Sequence, residues 1–489
     1  MEPVLGVALC LATGFALAMA GFPIATGSAR SASLPEPHLW DYLLLMASLS
    51  VGFGLGVFSI AFFLNRVLGS KHFLVTDVSA FAALLGIAAL FRRRTSESVF
   101  SLPTPLSFKA SSPWFLRLTA LALFVSISVA IYCVIAQTRA HPHGGGWDAF
   151  AIWNLHARFL FRGGPHWRDG FTPLLSWSHP DYPLLLPASI AHFWSLLGTA
   201  DPRVPAVIAI AFTFATVGLL FATLAISRGR ISAMMGCIAL LTTPAFVEQG
   251  TWQYADVPLS FFFLATIACL HLNDGRLLQS PGSGSLFLAG IASGFAAWTK
   301  NEGVLFLAAM IVARQWAFIQ SSRRPAQQKV PFSRHSAMFL AGCAPVLALI
   351  IYFKHWIAPP GDLFSSPDVM LLRMVQPARL WAVTKWFGKD LLRFGDWLLV
   401  PGTVLVAIYY GICGRRGING GAALGLVLTL AGYFFIYLIT PYDIYWHLRF
   451  SSARLFLQLW PSTLLVVFLS SGSRQQEAGN SPTAREQTA

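Results

Sequence analysis

Five short stretches carry side chains that could move a proton or hold an anion. GGGWDAF holds Asp148, SHPDYPLLLP holds His179 and Asp181, and YADVPLSFFFL holds Asp256; WTKNEG holds Lys300, Asn301 and Glu302, and HLRFSSARLFLQLWP holds His447, Arg449 and Arg454. A carboxylate within hydrogen-bond reach of a hydroxyl can take its proton. An Arg fork or a Lys point charge can hold an oxyanion. Each group also has a plainer reading. Asp148 stands where a helix N-cap would stand, and Pro258 gives Asp256 the same first-turn setting. Lys300 and Glu302 suit a local turn pair, and Arg449 and Arg454 suit interfacial snorkelling. Asp169 is a further acid in the same first loop. Together on one side of a membrane, the five sets point to a site, because charges at membrane depth are expensive and usually functional.

The elements that must position them are membrane helices. Of 489 residues 55% are hydrophobic, with 40 Phe and 16 Trp, and 11% are charged, against roughly 25% in a soluble domain. This composition predicts an all-α, polytopic membrane protein. About thirteen apolar segments approach the roughly 20 residues that cross a bilayer. They begin near Val4, Tyr42, Phe73, Phe115, Val204, Ile231, Val257, Leu286, Val304, Ala337, Trp397, Gly421 and Leu455. The run from Leu184 to Leu197 is shorter and reads as a re-entrant or interfacial piece. Cys10, Cys133, Cys237, Cys269, Cys343 and Cys413 are spread over separate spans and read as small core hydrophobes. Only Glu2 precedes the first span as a charge, so that span reads as a retained helix rather than a cleaved signal.

Lys and Arg mark cytoplasmic loops. Arg92, Arg93, Arg94, Lys109 and Arg117 form one group, Arg228 and Arg230 a second, Arg314, Arg323, Arg324, Lys329 and Arg334 a third, and Arg415 and Arg416 a fourth. One threading puts all four inside. It places the five polar stretches outside, with a first loop over 137–203 and a late loop over 358–396. The protein is thus expected in the plasma (bacterial inner) membrane with its site facing the periplasm or exterior. In the first loop Asn154, Arg158 and Arg162 recur every fourth residue while Phe150, Ile152, Trp153, Phe159, Leu160 and Phe161 fill the rest of the circumference. Such a helix is expected to lie in the interface, apolar side in lipid, its arginines on headgroups. Trp147, Trp153 and Trp177 read as interfacial aromatics.

Other classes fit less well. The net charge of +14 is scattered over short loops, which suits anionic lipid headgroups and not nucleic acid. A transporter would set ionisable groups near the midplane, whereas the spans hold few acids, Asp77 being one near its external end. No GxxxxGK[ST] loop is present. A glycan ligase or polymerase would use the late loop, with Asp362, Arg373, Arg379, Lys385 and Asp390; a non-catalytic scaffold is the remaining alternative. No HExxH spacing indicates a metal, and metal is left unassigned.

The ordered set of these stretches resembles the GT-C glycosyltransferases, in the branch of protein O-mannosyltransferases and lipid A aminoarabinose transferases. The resemblance covers 115–469, leaving 1–114 as additional N-terminal helices and 470–489 as a polar, disordered tail. It implies a sugar taken from a polyprenyl-phosphate donor on the external face and passed, with inversion, to a hydroxyl of a glycan, lipid or protein acceptor. It points to Asp148 as base and Asp256 as second acid, with Arg449, Arg454, His447, Lys300 and His179 near the donor phosphate. Many relatives carry an Asp-Glu pair where Asp148 is followed by Ala149, so Asp181 and Asp169 stay open as bases, with Glu302 secondary. His179-Pro180 stands where the aminoarabinose branch has Lys-Pro, and its charge would depend on pH.

Overall fold

The computed structural model describes residues 2–22, 37–94, 113–141, 145–274, 283–321, 332–361, 363, 367–394 and 420–470. Among them there is no strand, and the fold is all-α. In chain order the helices are α1 (Glu2–Gly21), α2 (Pro37–Leu68), α3 (Phe73–Arg94), α4 (Pro113–Ala140), α5 (Asn154–Arg162) and α6 (Leu185–Leu197). Then come α7 (Arg203–Arg228), α8 (Arg230–Leu241), α9 (Pro244–Thr251), α10 (Asp256–Asp274), α11 (Ser283–Thr299) and α12 (Asn301–Ser321). The last are α13 (Phe332–Trp356), α14 (Pro367–Met374), α15 (Pro377–Arg393), α16 (Gly420–Ile439) and α17 (Ile444–Ser470).

Nine described helices are long and apolar enough to cross a bilayer: α1, α2, α3, α4, α7, α10, α13, α16 and α17. A tenth crossing is counted if α8 and α9 form one span, bent by 67°. The bend falls at Thr242 and Thr243, because Pro244 has no N–H with which to continue α8. The expected count of thirteen is not confirmed among the described residues. The segment from Leu286 is the shorter apolar helix α11; the span expected from Leu455 is α17, which starts earlier, at Ile444. The expected span at Trp397, the polar tail and Cys413 lie outside the described residues. Leu185–Leu197 is a short apolar helix, as its length suggested.

Helix α10 is apolar on all sides and 94% of its span is buried, which is how an all-round hydrophobic helix is satisfied. It packs on α7, α11 and α17. By contrast α3 and α4 are only 11% and 17% buried and face outward. Helix α2 runs through the interior: Leu55 O accepts from Ser189 Oγ at 3.1 Å, Ser59 Oγ from Trp298 Nε1 at 3.2 Å, and Arg66 donates to Phe161 O at 3.0 Å. At its crossing with α1 a Cβ on Gly14 would come within 2.0 Å of Ser50 O, so the two backbones touch there.

The first loop departs from the expected lipid-facing helix. Its start, Ala149–Trp153, is a π-helical turn, and the wider turn rotates the residues that follow. Ile152, Trp153 and Leu160 are buried against protein, and so is Asn154, a member of the expected polar stripe. Arg158 and Arg162 are exposed. The apolar side chains left outside are Trp147, Phe150, Leu174 and Trp177.

Candidate active site

The loop after α4 is pinned to the loop before α10. Gly145 has φ +77, and a Cβ there would meet Trp252 O at 2.4 Å. Gly146 N donates to that same carbonyl at 3.1 Å, and Asp148 N donates to the Tyr254 hydroxyl at 3.4 Å. These contacts set Asp148 over the mouth of α10. Asp148 does occupy the N-cap position of the π-turn, but its carboxylate makes no capping hydrogen bond; it turns toward α17 instead.

There it meets Arg454. Arg454 Nη2 lies 2.7 Å from Asp148 Oδ2 and 2.7 Å from Asp256 Oδ2, and Arg454 Nε donates to Asp256 Oδ2 at 2.9 Å. One guanidinium thus bridges acids from two loops. Its plane sits over the Tyr254 ring, 4.7 Å from the centroid, a favourable cation–π placement. Asp256 is wholly inaccessible and also accepts from Gln458 Nε2 at 2.6 Å and Lys300 Nζ at 3.2 Å. The α10 N-terminus adds its own positive end. Tyr433 completes the shell by donating to Gln458 Oε1 at 2.6 Å. Asp148 is less enclosed, with 19% of its side chain accessible. Among the described residues nothing bonds its Oδ1.

Lys300 sits between Asp256 and Glu302, whose Oε1 is 2.7 Å away. Burial works against its ammonium, but the two carboxylates outweigh it and hold its pKa above the ordinary lysine value. Beside it, Tyr182 stacks between Trp153 and His179, with ring centroids 5.7 and 4.7 Å away. Burial pushes the His179 imidazole below its ordinary range, helped by Lys300 and opposed by Asp181, so it is neutral at pH 7. Asp181 Oδ2 accepts from Asn301 Nδ2 at 2.7 Å and from Lys354 Nζ at 3.3 Å, and Lys354 also donates to Asn301 Oδ1 at 2.8 Å. A small cavity of about 90 Å³ opens here, lined by Pro173, Ser176, Pro180, Asp181, Pro359 and Pro360.

The remaining sequence candidates sit further out. His447 Nδ1 is 3.1 Å from Thr440 Oγ1, with its ring against Tyr437. Arg449 is exposed, its guanidinium over the Phe450 ring. Asp169 is exposed beside His166, 3.8 Å away. In the late loop, Arg379 donates to Thr440 O at 2.9 Å and Tyr437 O at 3.2 Å, and Arg373 to Ile439 O at 3.3 Å. These two cations cap the end of α16, satisfying carbonyls a helix C-terminus leaves open. Asp362 lies outside the described residues. Among the described residues no three His, Cys, Asp or Glu side chains converge as a metal ion would need.

Acids and cations drawn from five loops and helix ends thus meet at one end of a helical membrane bundle. Residues 179–349 match a family model described as dolichyl-phosphate-mannose-protein mannosyltransferase. Over that segment, about a third of the chain, the sequence is similar to membrane glycosyltransferases of the GT-C type. No curated protein and no solved structure matches the chain. The matched segment contributes His179, Asp181, Asp256, Lys300 and Glu302 to the candidate site, while Asp148 and Arg454 come from outside it. Sequence reasoning passed over Tyr182, Tyr254, Lys354, Tyr433 and Gln458. Of these, Tyr182, Tyr254 and Gln458 lie inside stretches already singled out, Gln458 one turn from Arg454 on the same face of α17.

Proposed function

We propose that the transferase moves a monosaccharide from a polyprenyl-phosphate carrier to an acceptor hydroxyl, with inversion, on the non-cytoplasmic face of the membrane. The observation that carries this reading is the Asp148–Arg454–Asp256 bridge. Asp256 is held by three donors and serves as a fixed anchor. Asp148 is held through one oxygen only, and its other oxygen is the one carboxylate position in the bridge open to an incoming hydroxyl. Asp148 is therefore the base. It takes the acceptor proton as oxygen attacks the anomeric carbon from the side opposite the phosphate. A single displacement of this kind inverts the centre and requires no covalent sugar on the protein.

The leaving phosphate is already anionic and requires cations rather than a proton. Arg454 supplies them by exchange: donor phosphate competes with Asp148 for Nη2, and taking it releases Asp148 to act as base. Lys300 stays behind as a fixed charge, and the neutral His179 offers a hydrogen bond. Tyr182, stacked between Trp153 and His179, braces the imidazole from behind. Asp181, tied up by Asn301 and Lys354, shapes the loop. The late loop's Arg373 and Arg379 are committed to the carbonyls of α16, which disfavours a ligase site there.

The test uses purified protein in lipid with polyprenyl-phosphate monosaccharides. Asp148→Asn is expected to lower turnover about a hundredfold to ten-thousandfold while donor affinity is kept or raised, since phosphate no longer competes with a carboxylate. An Asp148→Asn protein with near wild-type turnover would sink the assignment. Lipid extraction from cells lacking the protein, read by mass spectrometry, names the donor that accumulates.

A further inference from the structure

One buried pair of ionisable groups has no part in this chemistry. Asp77, in the second turn of α3, and His192, two turns into α6, are both wholly inaccessible, with Asp77 Oδ2 3.1 Å from His192 Nε2. Among the described residues neither side chain makes a formed hydrogen bond. Phe58, Phe62 and Phe73 enclose the imidazole edge-on, with ring centroids 4.9, 5.9 and 6.3 Å away. Ionisable groups set this deep among membrane helices carry a cost that calls for a role.

Their place in the chain gives that role. Helix α6 begins at Leu185, directly after the segment that puts His179, Asp181 and Tyr182 into the site. His192 follows two turns later, about 10 Å along the axis. Between them α6 is held to α2 by apolar contact and by the Ser189 hydroxyl on Leu55 O. Apolar helix faces can repack at shifted positions, whereas a polar pair in an apolar surround meets in only one register.

We propose that Asp77 and His192 are positioning residues. They form a latch between α3 and α6 that sets the axial register of α6 and so holds Asp181 and Tyr182 against Asn301, Lys354 and Lys300. The N-terminal helices thereby act on a site whose acids lie elsewhere. The purpose of the latch rests on the transferase reading; its geometry does not.

The test uses the full chain in lipid nanodiscs, with cysteines replacing Ser176 and Pro360 across the small cavity beside Asp181, and scores their cross-linking by a short bismaleimide. Asp77→Leu and His192→Phe are each expected to lower the thermal midpoint and to cut cross-linking severalfold. Turnover should drop by about tenfold or more, since a misplacement of about 1 Å can cost about a hundredfold. The Asp77→Leu/His192→Phe double variant strands nothing polar and should recover the thermal midpoint, but neither cross-linking nor turnover. Asp77→Asn keeps an acceptor for the ring and should keep all three. A double variant that recovers cross-linking along with stability would overturn the latch. So would single variants that cross-link like wild type, or an Asp77→Asn protein that does not. If the wild type shows no turnover with any polyprenyl-phosphate sugar, the transferase reading fails while the cross-linking result still decides the latch.

Discussion

Arg454→Met removes the one group that joins Asp148 to Asp256, and the geometry allows its cost to be worked out. Breaking a buried ion pair by deleting one partner costs about 3–5 kcal/mol, because the other charge is left uncompensated. Asp256 keeps Lys300 at 3.2 Å and Gln458 at 2.6 Å, and 19% of the Asp148 side chain reaches solvent. The lower end therefore applies, about 3 kcal/mol. Arg454→Lys restores the charge but not the fork; a single ammonium does not span both acids in the same way, and part of the loss should persist. Adding Asp148→Asn to Arg454→Met should cost less than the two changes separately, by about 1.5–3 kcal/mol, the worth of one charge-assisted bond. Equilibrium unfolding in mixed micelles measures the four members of the cycle. Costs that add to within about 0.5 kcal/mol would show the two side chains to be independent, and the exchange of Arg454 between Asp148 and phosphate would be refuted with them.

Further outcomes follow from other parts of the molecule. Cysteine at Leu174, 87% exposed in the first loop, should react in intact cells with an impermeant thiol reagent, and cysteine at Arg230 only after permeabilisation; the reverse pattern would place the site on the cytoplasmic face. His156 is buried and its pKa is pushed down to about 3 by burial, with His179 adding to it. Because the folded value is depressed, stability is present above the ordinary histidine value and lost as pH falls below it, by about 2 kcal/mol at pH 5; a His156→Phe protein whose thermal midpoint falls as steeply between pH 7.5 and 5 would contradict this. Gly145→Ala should lower turnover and loosen the loop to protease, since its Cβ would meet Trp252 O at 2.4 Å. Gly164→Ala, with φ +51 and open space around it, should cost only about 1 kcal/mol of backbone strain and leave turnover unchanged.

The membrane class was legible because hydropathy is additive along the chain, and the ionisable sets were legible because charge is rare against such a background. Which of those charges meet was not legible. Asp148, Asp256 and Arg454 are far apart in sequence, and nothing local to any of them encodes a shared guanidinium. The outward face expected of α5 differs from the structure for a specific reason: the period of 3.6 does not hold across Ala149–Trp153, where the chain makes a π-turn, so Trp153 and Leu160 face protein. The last helix was started too late because His447, Arg449 and Arg454 broke the apolar run, although all three are helical. Asp77 was read as lying near an external end. Its burial against His192 depends on how α3 and α6 approach, which a one-dimensional pattern does not carry.

The bridge also bears on how the protein is made. Asp148 and Asp256 are synthesised before their shared cation, which belongs to α17. A nascent chain stopped before Ile444 presents two acids with no guanidinium to join them, so integration of α17 completes both the electrostatics of the fold and the candidate site in one event. A product truncated before α17 leaves Asp256 beside Lys300 without Arg454 or Gln458, and is expected to carry the exposed polarity by which membrane quality control distinguishes unfinished proteins from finished ones.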